Sequence, residues 1–180
     1  MTHPPIRPWS RRVSALLAAL AAAALLAACG DGSESPSTTA ASTLPAGTVT
    51  VWFPDDQGDL VRETRLRPAG ADPLVTALSE LAAGPRGAGL LPGLPAGTRV
   101  LSARREGDVA VVDLSDSFAT GYPAGGSTAE IATVGPVVLT AAGASGARAV
   151  RLLVEGEPPR IASAQLDLSE PLAPQDLGAP

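Results

Sequence analysis

The chain has no lysine, one histidine and one cysteine among its 180 residues. The histidine is His3 and the cysteine is Cys29. Everything after Cys29 therefore lacks His, Lys and a further Cys. Ser-His and Cys-His nucleophilic centres, lysine Schiff bases and P-loop lysines are excluded there. Zinc, haem and iron–sulfur centres lose their usual ligands. Aromatic residues make up only 3%, and Trp52, Phe53, Phe118 and Tyr122 are the ones after Cys29. No catalytic, cofactor-binding or metal-ligating residue is assigned. The chemistry left open is carboxylate-based: paired-acid glycoside hydrolysis or an oxygen-ligated metal.

The one long apolar run lies from Val13 to Ala28, behind Arg7, Arg11 and Arg12. A charged start, a short apolar middle and a small-residue end are the parts of a secretory signal. The run is shorter than the roughly 20 apolar residues of a comfortable membrane span. It ends in Leu26-Ala27-Ala28-Cys29, a lipobox. Lipoprotein maturation places a diacylglycerol on a cysteine sulfur and cuts before that cysteine, so Cys29 is the expected lipidation site. The alternative is an ordinary signal cut at an Ala-x-Ala site. Ser10-Arg11-Arg12-Val13 is similar to a twin-arginine signal, so the export route stays open.

The domain reading follows. Residues 1–28 form the signal and residues 29–47 a Ser/Thr/Ala/Pro-rich tether, a composition that buries too little apolar surface to fold. Residues 48–172 form one small domain, and residues 173–180 a disordered tail. All 18 acidic residues follow Cys29 and three of the 13 basic ones precede it, so the processed chain carries 10 − 18, about −8. That charge argues against nucleic acid as a partner and against binding anionic lipid through the domain itself. The expected partners are the membrane, through diacylglycerol on Cys29 at the extracytoplasmic face, and a protein of the cell envelope.

Thr48 to Phe53 alternates and reads as a strand; Leu60 to Leu66 returns as a second, with turn chemistry at Pro54 to Gly58 between them. Asp72-Pro73 opens a helix with Leu74, Ala77, Leu78 and Leu81 on one face, and Gly84-Pro85 stops it. Arg99 to Arg105 and Val109 to Leu114 form a second hairpin turning at Glu106-Gly107-Asp108. Ser127-Thr128-Ala129-Glu130 reads as a capping box opening a second helix. Gly135-Pro136 is expected to kink or split that helix. In the last strand, Ala149 to Glu155, Val150, Leu152 and Val154 share one face and Arg151 lies on the other. Ile161 to Leu168 is a candidate edge strand. The order β-β-α-β-β-α-β predicts an α/β (α+β) fold: one mixed sheet with two helices packed on it.

Three sets of residues carry sharper readings, each beside a plainer one. Asp55-Asp56-Gln57-Gly58-Asp59 has the clustered oxygens of a calcium loop but lacks the distant bidentate Glu of an EF-hand; a solvated turn is preferred. Asp113, Asp116 and Glu130 could pair as glycosidase acids; local roles at a strand end and a helix cap are preferred. Trp52 and Phe53 are strand neighbours that point to opposite faces. Trp52 is therefore either core or a partner contact, and core is preferred because few other large side chains exist to fill one.

From Val49 to about Leu172 the chain resembles the GerMN domain of sporulation and germination proteins and of actinobacterial lipoproteins. Val51-Trp52-Phe53-Pro54 with Gly58 and Leu60-Val61 is similar to that family's first hairpin. Leu81-Ala82-Ala83-Gly84-Pro85, Gly89-Leu90 and Leu94-Pro95-Ala96-Gly97-Thr98 resemble its helix-to-loop signature. Val109-Ala110-Val111-Val112-Asp113-Leu114-Ser115 with Phe118 resembles its central strand, and Leu152-Leu153-Val154-Glu155-Gly156-Glu157-Pro158 its last. Leu168-Ser169-Glu170-Pro171-Leu172 is similar to a tail that often follows. The resemblance implies a small α/β domain similar to ring-building motifs, without catalytic residues. It implies a non-enzymatic, lipid-anchored envelope protein, with a carboxylate-dependent cell-wall hydrolase or glycan-binding protein as the alternative.

Overall fold

The computed structural model describes residues 47–123, 126–161 and 164–177. Cys29, with the signal and tether read around it, lies outside the described residues. The described chain is an α+β domain: β1 (Gly47–Pro54), β2 (Leu60–Arg67), α1 (Pro73–Ala83), β3 (Val100–Glu106), β4 (Val109–Leu114), α2 (Ser117–Thr120), α3 (Gly126–Ser145), β5 (Ala149–Val154) and a closing 3-10 turn (Pro174–Leu177). The predicted order is present, with α2 and the 3-10 turn added. Among the described residues no helix is long and apolar enough to cross a membrane.

The first hairpin folds where the turn residues put it. The Asp55 carboxylate accepts the amides of Gln57 and Asp59, each at 2.9 Å, and Gly58 takes φ 88°. This ties Asp55 to its own turn. Strands β1 and β2 then pair antiparallel from Gly47/Arg67 to Pro54/Leu60. Val49, Val51 and Phe53 are buried on one face. Helix α1 begins as its sequence dictates: Asp72 accepts the Val75 amide at 2.9 Å, Pro73 stands at its start, and Leu74, Ala77, Leu78 and Leu81 are buried. Gly84, at φ 88°, closes it.

The expected single mixed sheet is divided in two. One sheet is β1-β2; the other, β3-β4-β5, is mixed, with β3 antiparallel and β5 parallel to β4. The reason lies at the outer edge of β1. Helix α3 runs beside it, and the Trp52 amide donates to the Thr140 hydroxyl at 3.0 Å. That donor is one a neighbouring strand would have needed.

Three further expectations change. Helix α3 is neither split nor ended at Pro136; it continues through Gly135 and Pro136, both buried. The pair serves packing. A Cβ on Gly135 would lie 2.4 Å from Leu60 Cδ1, and Pro136 seats against Gly93. The capping box is not made. Helix α3 starts at Gly126, which places Glu130 a turn inside it and fully buried. Ile161 to Leu168 is not an edge strand among its described residues. The edge of β5 is met instead at one point, where Val150 and Leu172 exchange hydrogen bonds of 2.8 and 2.9 Å. The folded region also runs beyond Leu172, since Leu177 in the 3-10 turn is buried in the core.

The core lies between the two sheets and the helices. Phe53, Leu78, Leu81, Val112, Leu114, Phe118, Val134, Val137, Val138 and Leu152 are within 2% of full burial. Arg151 is exposed between buried Val150 and Leu152, so β5 is covered on one face and open at Arg151 on the other, although Val111 beside it on β4 is buried.

Candidate functional site

Strand geometry assigns the two faces of the first hairpin. Residues directly opposed in an antiparallel pair share a face. Val49/Arg65, Val51/Glu63 and Phe53/Val61 lie together, and Thr48/Leu66, Thr50/Thr64 and Trp52/Arg62 lie on the reverse. Phe53 is therefore the core residue of the aromatic pair, at 0% exposure, and Trp52 is half-buried on the reverse face. Around it Thr48, Thr50, Arg62, Thr64 and Leu66 are exposed.

The covered face holds a charge that sequence reasoning missed. Arg65 is buried, with its guanidinium 5.6 Å from the Phe53 ring centre. It forms an ion pair with Glu63, another with Glu80 at 3.4 Å, and donates to the Gly84 carbonyl at 3.1 Å. Glu63 in turn accepts the amides of Arg86 at 3.3 Å and Gly87 at 2.6 Å. A buried cation needs such partners, because desolvation otherwise costs several kcal/mol, of order, per ion. The group ties β2 to the end of α1 and its following turn. A Cβ on Gly87 would lie 2.7 Å from Glu63 Oε1, so glycine is what lets the amide reach the carboxylate. The alternation of β2 was the available signal: Glu63 and Arg65 share the face of Val61.

Of the acidic residues weighed as a catalytic group, Asp113 and Glu130 direct their carboxylates to backbone amides, and Asp116 does not. Asp113, half-buried at the end of β4, accepts the Gly156 amide at 2.9 Å. Asp116 is exposed, and its own amide donates to Glu155 at 3.1 Å. Glu130 accepts the amides of Gln165 at 2.7 Å and Leu166 at 3.0 Å. The long C-terminal segment is thereby clamped to α3. Tyr122 is buried nearby, edge-on to Phe118 with ring centres 5.9 Å apart. Its hydroxyl has no hydrogen-bond partner among the described residues. Burial, and secondarily the charge of Glu130, push the Tyr122 phenol up to about 12.

The cavities are shallow. One of about 180 Å³ lies between the start of α1, β3 and the end of α3, with Arg104 and Arg105 on its wall. Arg105 is occupied there, donating to the Ser145 carbonyl at 3.1 Å. A second, of about 340 Å³, is lined by Pro159, Ile161 and residues 164–169. Small-molecule sites usually enclose about 300–1,000 Å³ with convergent polar groups. Asp55, Asp113 and Glu130 all direct their carboxylates to amides of the chain. The reverse face of the first hairpin around Trp52 carries no carboxylate.

A family model described as "Germane: Sporulation and spore germination" matches residues 50–160. Among solved structures, the tandem GerMN domains of the sporulation protein GerM from Bacillus subtilis are 21% identical, with a TM-score of 0.58. That match covers 71% of this chain and 45% of the tandem structure. The chain thus spans less than half of that relative. The first GerMN domain of the same protein is 22% identical over 72% of this chain and 99% of its own, with a TM-score of 0.57. At this identity the likeness establishes the fold. No curated protein matches the chain.

Proposed function

The chain belongs to the Germane family of sporulation and spore germination, and from that premise we propose that it is a lipid-anchored, non-catalytic protein of the cell envelope. Its GerMN-type domain is held at the extracytoplasmic face of the cell membrane by diacylglycerol on Cys29. There it meets a protein partner, in an assembly of the sporulation or germination type.

The observation that carries this reading is the lone Cys29. It closes Leu26-Ala27-Ala28 after an arginine-led apolar run, and about 18 residues separate it from the folded domain. A non-catalytic role is supported by the residue types available. No His, Lys or second Cys follows Cys29, and Asp113 and Glu130 are hydrogen-bonded to backbone amides.

Fractionation of cells expressing the full chain tests it. Each buried methylene contributes about 0.8 kcal/mol, so two acyl chains give stable anchoring. The parent is expected in the membrane fraction with a mass shift for the lipid. Cys29→Ser is expected to be released or to remain uncut. A Cys29→Ser protein that matures and stays in the membrane like the parent refutes the lipid anchor.

A further inference from the structure

The reverse face of the first hairpin has a property that sets it apart from the rest of the domain. Its open positions are Thr48 and Thr50 on β1 and Arg62, Thr64 and Leu66 on β2, around half-buried Trp52; at its far end Pro54 is buried and Leu60 packs against Gly135 of α3. None is acidic, although the chain holds 18 acidic residues against 13 basic ones. Leu66, at 77% exposure, is the most exposed large apolar residue among those described. Leu66 pairs with Thr48, one residue inside Gly47, where the chain arriving from Cys29 enters the sheet.

We propose that this face is the side of the domain that rests on the lipid surface. The inference builds on the anchoring of Cys29. An indole, an exposed leucine and hydroxyls suit the interfacial zone, where one part of a side chain is apolar and another is wet. Arg62 can lay its stem on the sheet and extend its guanidinium to lipid phosphates. The processed chain as a whole, at about −8, opposes contact with anionic lipid, so the lack of carboxylates on this one face matters: it is the side that a negative surface potential repels least. The acidic turn at Asp55 to Asp59 bounds the end of the face remote from the tether, and it keeps the contact superficial.

Such a face needs little affinity of its own. The composition of the roughly 18 residues after Cys29 is that of a tether, for which the expected r.m.s. length is about 20–25 Å. That holds the domain at a millimolar effective concentration, so contact of only millimolar affinity is occupied about half the time. A protein partner on the same face is the competing occupant. The charge pattern and the entry point of the tether favour lipid.

Trp52 is the single tryptophan after Cys29 and serves as the probe. Processed, acylated protein is reconstituted into vesicles of phosphatidylglycerol and phosphatidylcholine, with or without bromine on the acyl chains. Flotation reads the anchor, and quenching of Trp52 by bromine reads the face. The expected result is flotation with quenching. Leu66→Asp and Thr64→Glu, both at exposed positions, are expected to keep flotation and the circular dichroism spectrum but to lose the quenching. Flotation without quenching in the parent overturns the face and leaves the anchor intact. So does quenching that both variants retain. Failure to float overturns the anchor and the face together. Protection of Trp52 that arises only in native membranes, and not in these vesicles, assigns the face to a protein and overturns the lipid contact.

Discussion

Replacing Glu130 by Gln tests whether one buried carboxylate holds the C-terminal segment on the domain. Glu130 is fully buried and accepts two backbone amides, Gln165 at 2.7 Å and Leu166 at 3.0 Å. Gln keeps one acceptor oxygen and sets an NH₂ where the other stood. One amide then faces a donor. A hydrogen bond to a charged group contributes about 1.5–3 kcal/mol, and an orphaned buried donor costs about 1–3 kcal/mol. Removing the charge relieves desolvation and works the other way. The expected net loss is about 2–3 kcal/mol, or roughly 6–15 °C in Tm for a domain of this size. Thermal melts followed by circular dichroism measure it.

A second readout separates this from general loosening. Tyr122 is the only tyrosine, so phenolate absorbance titrates it alone. Its pKa is raised to about 12 by burial first and by Glu130 second. In Glu130→Gln the midpoint should fall but stay above the ordinary tyrosine value of 10.0, because burial remains. In the parent, the raised phenol adds stability that is complete below about pH 10 and is lost as pH climbs towards 12. An unchanged Tm together with an unchanged Tyr122 midpoint refutes the clamp.

Three further outcomes are expected. Leu152→Asp, at 1% exposure, should unfold the domain, since a buried unpaired carboxylate costs several kcal/mol of the roughly 5–15 kcal/mol available. Arg151→Asp on the open face should shift the melt little, and equal shifts in the two variants would refute the placement of β5. Gly135→Ala should destabilise by about 1 kcal/mol although alanine favours helix, because its Cβ meets Leu60. In a Leu60→Ala background the same change should be neutral or stabilising, and a stabilising Gly135→Ala in the parent would contradict the packing. Asp72→Ala should cost about 1 kcal/mol by removing the α1 cap; no change in urea midpoint would show that the cap is dispensable.

Much of the fold was legible because its signals are local. Asp72-Pro73 and Gly84 set the ends of α1 through caps and backbone angles that need only neighbouring residues. The alternation in 48–51 and 150–154 announced which side chains turn inward, and Val51 and Leu152 did so; of the aromatic pair, Phe53 rather than Trp52 became the core residue. The contact surface was partly legible. Trp52 stood out by residue type, but the open face around it appears only when β2 is set in register, bringing Arg62 and Leu66 alongside.

What sequence alone determined about this protein is the chemistry it lacks, the family pattern, the order of strands and helices, and the caps that start and stop α1. Each rests on residue identity or on spacing within a few positions. Tertiary structure decided the rest. It divided the sheet, because α3 came to lie along β1 and Thr140 took the Trp52 amide. It carried α3 through Pro136, because Gly135 left room for Leu60. It sent Glu130 to Gln165 and Leu166 rather than to a helix cap, and it buried Arg65 between Glu63 and Glu80. Most of these choices join residues distant in the chain, 15 positions for Arg65 and Glu80 and 88 for Trp52 and Thr140. Local preference states only that such groups need partners when buried; packing selects which partners arrive.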